Sequence, residues 1–354
     1  MQISAAERAP RQAGSDPRKR RRAATICLPL AVVAIGIAAL GVGRYSIGVV
    51  DVTRILLGQV LPLDPSWSQA QEAAVLRVRL PRVLLSMLIG AGLAVCGVVL
   101  QAVFGNPIVS SQIIGVSSGA SFGGALAIVL GLGSAALVLG AFGFGLVALV
   151  AVFLTSRTRG PAPPLTIVLS GIVVGAFFSA LVSLLTYLAD PYGELQSIVF
   201  WLLGSLATAT YGKVAIAAVP VLLGGALICA LRWRINLLSL GDDDAATLGV
   251  RPARLRWTLL VAVAAIVAGA VAVSGVIGWV GLVVPHLARL WVGPDHRLLI
   301  PVSIGLGAAY LTVIDTVTRN LGAAEIPLGV LTALVGAPVF LVLLQRNRKR
   351  MWSE

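Results

Sequence analysis

The sequence predicts an all-α polytopic membrane protein of about ten transmembrane helices, and three observations carry that prediction. Of the 354 residues, 58% are apolar and only 12% charged, with a mean hydropathy of +0.97; soluble domains run at roughly 45–50% apolar and about 25% charged. The charges fall in a few clusters that could not clothe a soluble core, so lipid must be the solvent for most of the surface. The apolar runs are also continuous over about 20 residues, the length of one membrane span, and they lack the period-two alternation of a transmembrane β-barrel.

Ten such runs, bounded by charge, Pro or Gly, fall near residues 23–43, 83–104, 112–132, 134–154, 165–189, 214–231, 258–275, 276–292, 298–318 and 326–344. The first follows the basic cluster Arg18–Arg22. It is long for the apolar core of a cleaved signal and long enough to span, so residues 1–22 read as a basic arm ahead of the first helix. The weakest boundary is at Gly275, where two short runs abut; a glycine-rich break inside the membrane would explain it. Residues 196–210 are apolar with Trp201 and suit a short helix lying at the outer interface. The organisation is therefore an arm (1–22), one ten-helix membrane domain (23–345) with a long inner loop at 234–256, and a tail (346–354).

An even number of spans puts both termini on one side. Arg18–Arg22 and Arg346, Arg348, Lys349 and Arg350 make that side cytoplasmic by the positive-inside rule. All but seven of the 27 Lys and Arg then lie inside; the exceptions are Arg44, Arg54, Arg77, Arg79, Arg82, Lys213 and Arg319. The formal charge of +13 thus orients a bundle and does not indicate nucleic acid. An internal repeat is suggested by Ala94-Val95-Cys96-Gly97-Val98 and Ala272-Val273-Ser274-Gly275-Val276, half a chain apart on spans of opposite direction, the arrangement of an inverted repeat.

Catalytic chemistry has little to work with. Lys19, Lys213 and Lys349 are the only lysines and none lies in a GxxxxGK[ST] loop. His286 and His296 lack metal-ligand spacing, so no metal or other cofactor is expected on this chain. Cys27, Cys96 and Cys229 read as small core residues. Asp315 is the one carboxylate inside a span, and Arg319 four residues on makes an i,i+4 ion pair the economical account, with Arg319 turned to the outer surface. A self-contained proton-coupled carrier, the rival reading, would need more buried carboxylates than this; a membrane scaffold without flux is a third.

Two segments look functional. Gly115, Gly119 and Gly123 in GVSSGASFGG form small-xxx-small steps that allow close helix packing, while Ser117 and Ser118 could present hydroxyls to a passing solute. In the inner loop, Ser239 or Gly241 can cap a short helix whose first turn holds Asp242, Asp243 and Asp244, where the helix dipole favours carboxylates. Gly249 stops it. Arginines flank it on both sides, and such an acidic knob on a basic face suits docking of another protein.

RLPRVLLSMLIGAGLAVCGVVLQAVFGNP (79–107), IIGVSSGASFG (113–123), WLLGS (201–205), LSLGDDDAATLGV (238–250), GWVGLVVPHLARLWVGPDH (278–296) and AEIPLGVLTALVGAPVFLVLL (324–344) closely resemble the FecCD-type permeases of bacterial ABC importers for ferric siderophores, haem and cobalamin. The resemblance implies a type II importer permease of the inner membrane. It would be a homodimer working with two ATPase subunits, which use ATP and Mg, and one periplasmic binding protein. By the same resemblance Arg79, Arg82 and Arg319 would accept glutamates of the binding protein. Leu240, Gly241, Asp242, Asp243, Asp244, Ala245, Leu248 and Gly249 would form the coupling segment seated in the ATPase, and Asn106 and Ile108 would belong to the inner gate. An iron chelate, ferric siderophore or haem, leads as substrate; cobalamin and an oxyanion such as molybdate are the alternatives within the family. Val109-Ser110-Ser111-Gln112 and PAPPL (161–165) depart from the common pattern near that gate.

Overall fold

Without water to satisfy peptide groups, an apolar segment in lipid closes its own hydrogen bonds, and every apolar run becomes a helix. The computed structural model describes residues 26–43, 45–64, 66–157, 163–322 and 324–351. The arm 1–22 and the last residues of the tail, 352–354, lie outside them. In chain order the helices are α1 (Leu28–Gly41), α2 (Val49–Leu57), α3 (Gln69–Phe104), α4 (Val116–Val129), α5 (Ser134–Ser156), α6 (Pro164–Leu188), α7 (Glu194–Leu202), α8 (Tyr211–Leu238), α9 (Asp242–Thr247), α10 (Pro252–Ser274), α11 (Val280–Val292), α12 (His296–Thr318) and α13 (Leu328–Met351). Six of them, α3, α5, α6, α8, α10 and α12, are long and apolar enough to cross a membrane; α1, α4, α11 and the apolar part of α13, Leu328–Leu343, are shorter.

These ten coincide with the ten runs, with differences that have local causes. The long stretch before the second run is not a loop. It holds α2 and the start of α3, which a capping box at Ser68 opens, with the Gln71 side chain returning to the Ser68 N–H. A π-helical turn over Ala74–Arg79 carries α3 onward. Helices α8 and α10 likewise extend into the inner loop, whose non-helical parts flank only α9. The boundary at Gly275 is a true break: Gly275 has φ 69°, helix geometry is lost until Val280, and Trp279 has φ 67°, a conformation that costs an L-residue energy. The predicted interfacial helix is α7. Of the cysteines Cys96 is buried, but Cys27 is exposed and is not a core residue, because it lies at the free edge of α1.

Packing follows small residues. A Cβ on Gly97 would sit 2.0 Å from the carbonyl oxygen of Gly281, and one on Gly123 2.1 Å from that of Gly140, so α3 meets α11 and α4 meets α5 backbone to backbone. The glycine stripe of α4 is therefore a packing face, sealed by Phe122, Phe144 and Phe178 with ring centroids 4.9–6.5 Å apart. α3 packs on α11 and α12, and α10 packs on α4 and α5. The short helices α4 and α11 both begin inside the bundle, where the Gln112 amide nitrogen lies 2.9 Å from the position a Cβ on Gly278 would take.

Candidate functional site

The bundle has two distinct ends. One, here the basic end, carries α9 and Arg232, Arg234, Arg251, Arg254 and Arg256. The other carries α2, α7 and the Arg79–Arg82–Arg319 group.

At that opposite end the three arginines do not form an exposed surface. Arg79, Arg82 and Arg319 are 8%, 7% and 8% exposed. Arg79 donates to the carbonyls of Leu40 (2.7 Å), Gly41 (3.1 Å) and Tyr45, capping the end of α1. Arg82 binds both oxygens of Asp315 through Nε (3.0 and 3.1 Å) and forks onto Glu325 at 3.0 and 2.9 Å. The expected Asp315–Arg319 pair exists at 3.4 Å, but Asp315 has its shorter contact, 2.9 Å, with Arg82. Arg319 is turned inward, donating to Ala39 O (3.2 Å) and Thr316 Oγ1 (3.1 Å). The physical reason is that these guanidinium groups sit among helix ends whose carbonyls and carboxylates solvate them better than the interface does. Arg54 and Arg77 are the arginines left exposed on this side among the described residues. Glu325 was missed from the sequence. Half of the 14 acids fall on that side, so position alone does not single it out, and its contact with Arg82 spans 243 residues.

At the basic end α9 is a rigid knob. Gly241, φ 112°, starts it without a side-chain cap, and Ser239 ends α8 instead. Gly249, φ 81°, ends it with Gly249 N–H bonded to Ala246 O and Val250 N–H to Ala245 O, each 3.0 Å, the Schellman closure. Ala245 is fully buried, whereas Asp243, Asp244, Leu240 (59%) and Leu248 (56%) are exposed. Asp242 accepts from Arg256 at 2.8 Å, tying α9 to the first turn of α10. The knob thus presents two carboxylates and two apolar side chains on a fixed base.

The turn after α3 lies at the same end. Asn106 N–H bonds to Gln101 O (3.1 Å) and Asn106 Oδ1 accepts from Ile108 N–H (3.0 Å), so the turn is held locally while Ile108 stays 51% exposed. Ser117 and Ser118 are not brought to it. Ser117 is 7% exposed, its carbonyl accepting from Ser121, and Ser118 faces Ser179 of α6 at 3.4 Å. Nor do they line the open cleft of about 430 Å³ that is bounded by Gln112, Leu203, Val276, Trp279, Val330 and Leu334. That cleft is bordered by a backbone knot: Ser205 N–H to Ser274 O (2.8 Å), Leu328 N–H to Gly204 O (2.9 Å) and Gly329 N–H to Leu203 O (3.0 Å).

The model of the FecCD transport family matches residues 30–346. The chain belongs to the FecCD transport family. It is an ABC importer permease, all-α, with several membrane-spanning helices. Among its FecCD relatives are the molybdate import system permease protein MolB of Haemophilus influenzae, 45% identical over 92% of this chain and 96% of that protein, and the hemin transport system permease protein HmuU of Yersinia pestis, 37% identical over 91% and 97%. A solved structure described as an inward-facing conformation of a metal-chelate type ABC transporter aligns with a TM-score of 0.82 at 43% identity, covering 94% of this chain and all of that one.

Proposed function

We propose that this FecCD permease works as a homodimer in a bacterial inner membrane, both termini cytoplasmic, and passes a metal chelate from a periplasmic binding protein to the cytoplasm. Two separate ATPase subunits supply the energy. The observation that carries this reading is α9: a short helix pinned by Arg256, with Asp243, Asp244, Leu240 and Leu248 left free, is built to be held by a partner and has no work to do within the chain. The segment from Leu240 to Gly249 is its docking face. Asn106 and Ile108 form the inner gate turn beside it, and Ser117 and Ser118 support the path indirectly through α4 and α6. Arg79, Arg82 and Arg319 set the opposite end for the binding protein, with Arg54 and Arg77 offering the exposed charge.

An iron chelate, ferric siderophore or haem, is the leading cargo. The open cleft walled mainly by Leu203, Val276, Trp279, Val330 and Leu334 suits a bulky chelate chosen beforehand by the binding protein. Molybdate is the second reading, favoured by the 45% identity to MolB. Proteoliposomes containing the permease, its ATPase and its binding protein test both: ATP-dependent accumulation of iron, and not molybdenum, is the expected result. Accumulation without the ATPase would overturn the importer reading altogether.

A further inference from the structure

At the basic end a cleft of about 270 Å³ opens between the end of α3, the turn after it, and the starts and ends of α8, α11 and α12; Gln101, Asn106, Ser239, Arg289 and His296 line it. Among the described residues no carboxylate lines it. Arg289, on the last turn of α11, is partly buried, and it donates to a neutral group, Gln101 Oε1, at 2.9 Å. Gln101 is itself fixed, since its amide nitrogen donates to Gly281 O at 3.3 Å. Across the cleft His296 is 7% exposed, with Nδ1 against Asn236 Oδ1 at 2.7 Å. The nearby Asp295 is engaged elsewhere, its Oδ1 accepting from Asn236 (2.8 Å) and from Arg297 N–H (3.0 Å).

At the opposite end Arg82 and Arg319 each lie against a carboxylate, and Arg79 donates to the carbonyls at the end of α1. Arg289 is the contrast. A guanidinium has five N–H donors in a planar fork suited to two oxygens of one anion, and withdrawing it from water without a counter-charge is costly. A cleft at the small end of the range for ligand sites, with a fixed cation in its wall and the Asn106 amide beside it, has the chemistry of an oxyanion site. We propose that this cleft binds a small tetrahedral oxyanion, of the phosphate, sulfate or molybdate class, on Arg289. The bound anion bridges α11 to the Asn106 turn, so its occupancy bears on the same turn that the gate reading uses. The site rests on Arg289 and Gln101 and is independent of which cargo the permease carries.

The test uses the full chain purified in detergent, with thermal unfolding followed by intrinsic fluorescence. Sodium molybdate, sulfate and phosphate are titrated in the millimolar range against chloride at matched ionic strength. A saturable rise in melting temperature is expected for the wild type. Arg289→Gln abolishes it or weakens half-saturation at least ~10-fold, the loss of about one charge-assisted bond. Gln101→Glu supplies an internal carboxylate, so it raises the anion-free melting temperature and removes the anion-dependent rise; this variant decides the matter if Arg289→Gln does not fold. A wild type that responds only to ionic strength, or an Arg289→Gln or Gln101→Glu variant that keeps the full saturable rise, overturns the proposal. So does a wild type that needs the ATPase present before any anion matters, because the partner then supplies the counter-charge.

Discussion

Arg82 is expected to be a structural residue first, and the geometry states by how much. Its guanidinium is 8% exposed and faces Asp315 at 1% and Glu325 at 38%. Removing one member of a buried pair leaves the other charge uncompensated, at about 3–5 kcal/mol; a pair with one exposed member is worth about 1 kcal/mol or less. Arg82→Met and Asp315→Leu should therefore each lower stability by several kcal/mol, while Glu325→Gln should cost about 1 kcal/mol or less. In the double variant Arg82→Met/Asp315→Leu the two charges of the closer pair leave together, and the 3.4 Å contact of Arg319 with Asp315 is lost in the double variant just as in the Asp315→Leu single. The double variant should thus be more stable than additivity predicts, with a coupling of about 1–3 kcal/mol. Equilibrium unfolding in mixed detergent and dodecyl sulfate micelles, followed by tryptophan fluorescence, reads these differences. The reasoning fails if Arg82→Met unfolds like wild type, or if the double variant is simply additive. Either result would mean that Arg82 is held for a partner on the outside and not for the fold, and uptake assays on Arg82 variants would then report docking alone.

Three further expectations are sharp. Gly97→Leu forces a side chain into the Gly281 carbonyl, 2.0 Å from the first added carbon, and should cost about 3 kcal/mol or abolish folded yield by size-exclusion chromatography; Gly143→Ala, with nothing within 4 Å, should gain up to ~1 kcal/mol. At Trp279 the positive φ inverts the usual order, so Trp279→Gly should be more stable than Trp279→Ala by about 1 kcal/mol in the same unfolding assay, and an Ala variant at least as stable would refute strain there. Asp242→Asn removes the charge that pins Arg256, whose side chain is 3% exposed. Amide exchange at residues 243–248 should quicken and ATPase stimulation in the assembled importer should fall, whereas unchanged exchange would show that α9 is held by Ala245 alone.

The apolar helices were legible because lipid makes apolar run length nearly sufficient: each run holds a helix, with Gly275 betraying its own break. The start of α3 was not, since the polar Ser68–Gln71 box and the charged Arg77 and Arg79 look like loop until the capping bonds are counted. The candidate site divides along the same line. Asp242 to Gly249 could be read as a capped acidic helix because every bond that shapes it is local. The fate of Arg79, Arg82 and Arg319 could not, because their partners at Leu40, Glu325 and Ala39 lie 39, 243 and 280 residues away in sequence. Local pattern predicts Arg319 with Asp315; only the packing of α3 against α12 brings Arg82 in to take that carboxylate. The two ends of the protein therefore differ in kind. At one end opposite charges meet and cancel through tertiary structure; at the other, Asp243, Asp244 and Arg289 form no ion pair among the described residues.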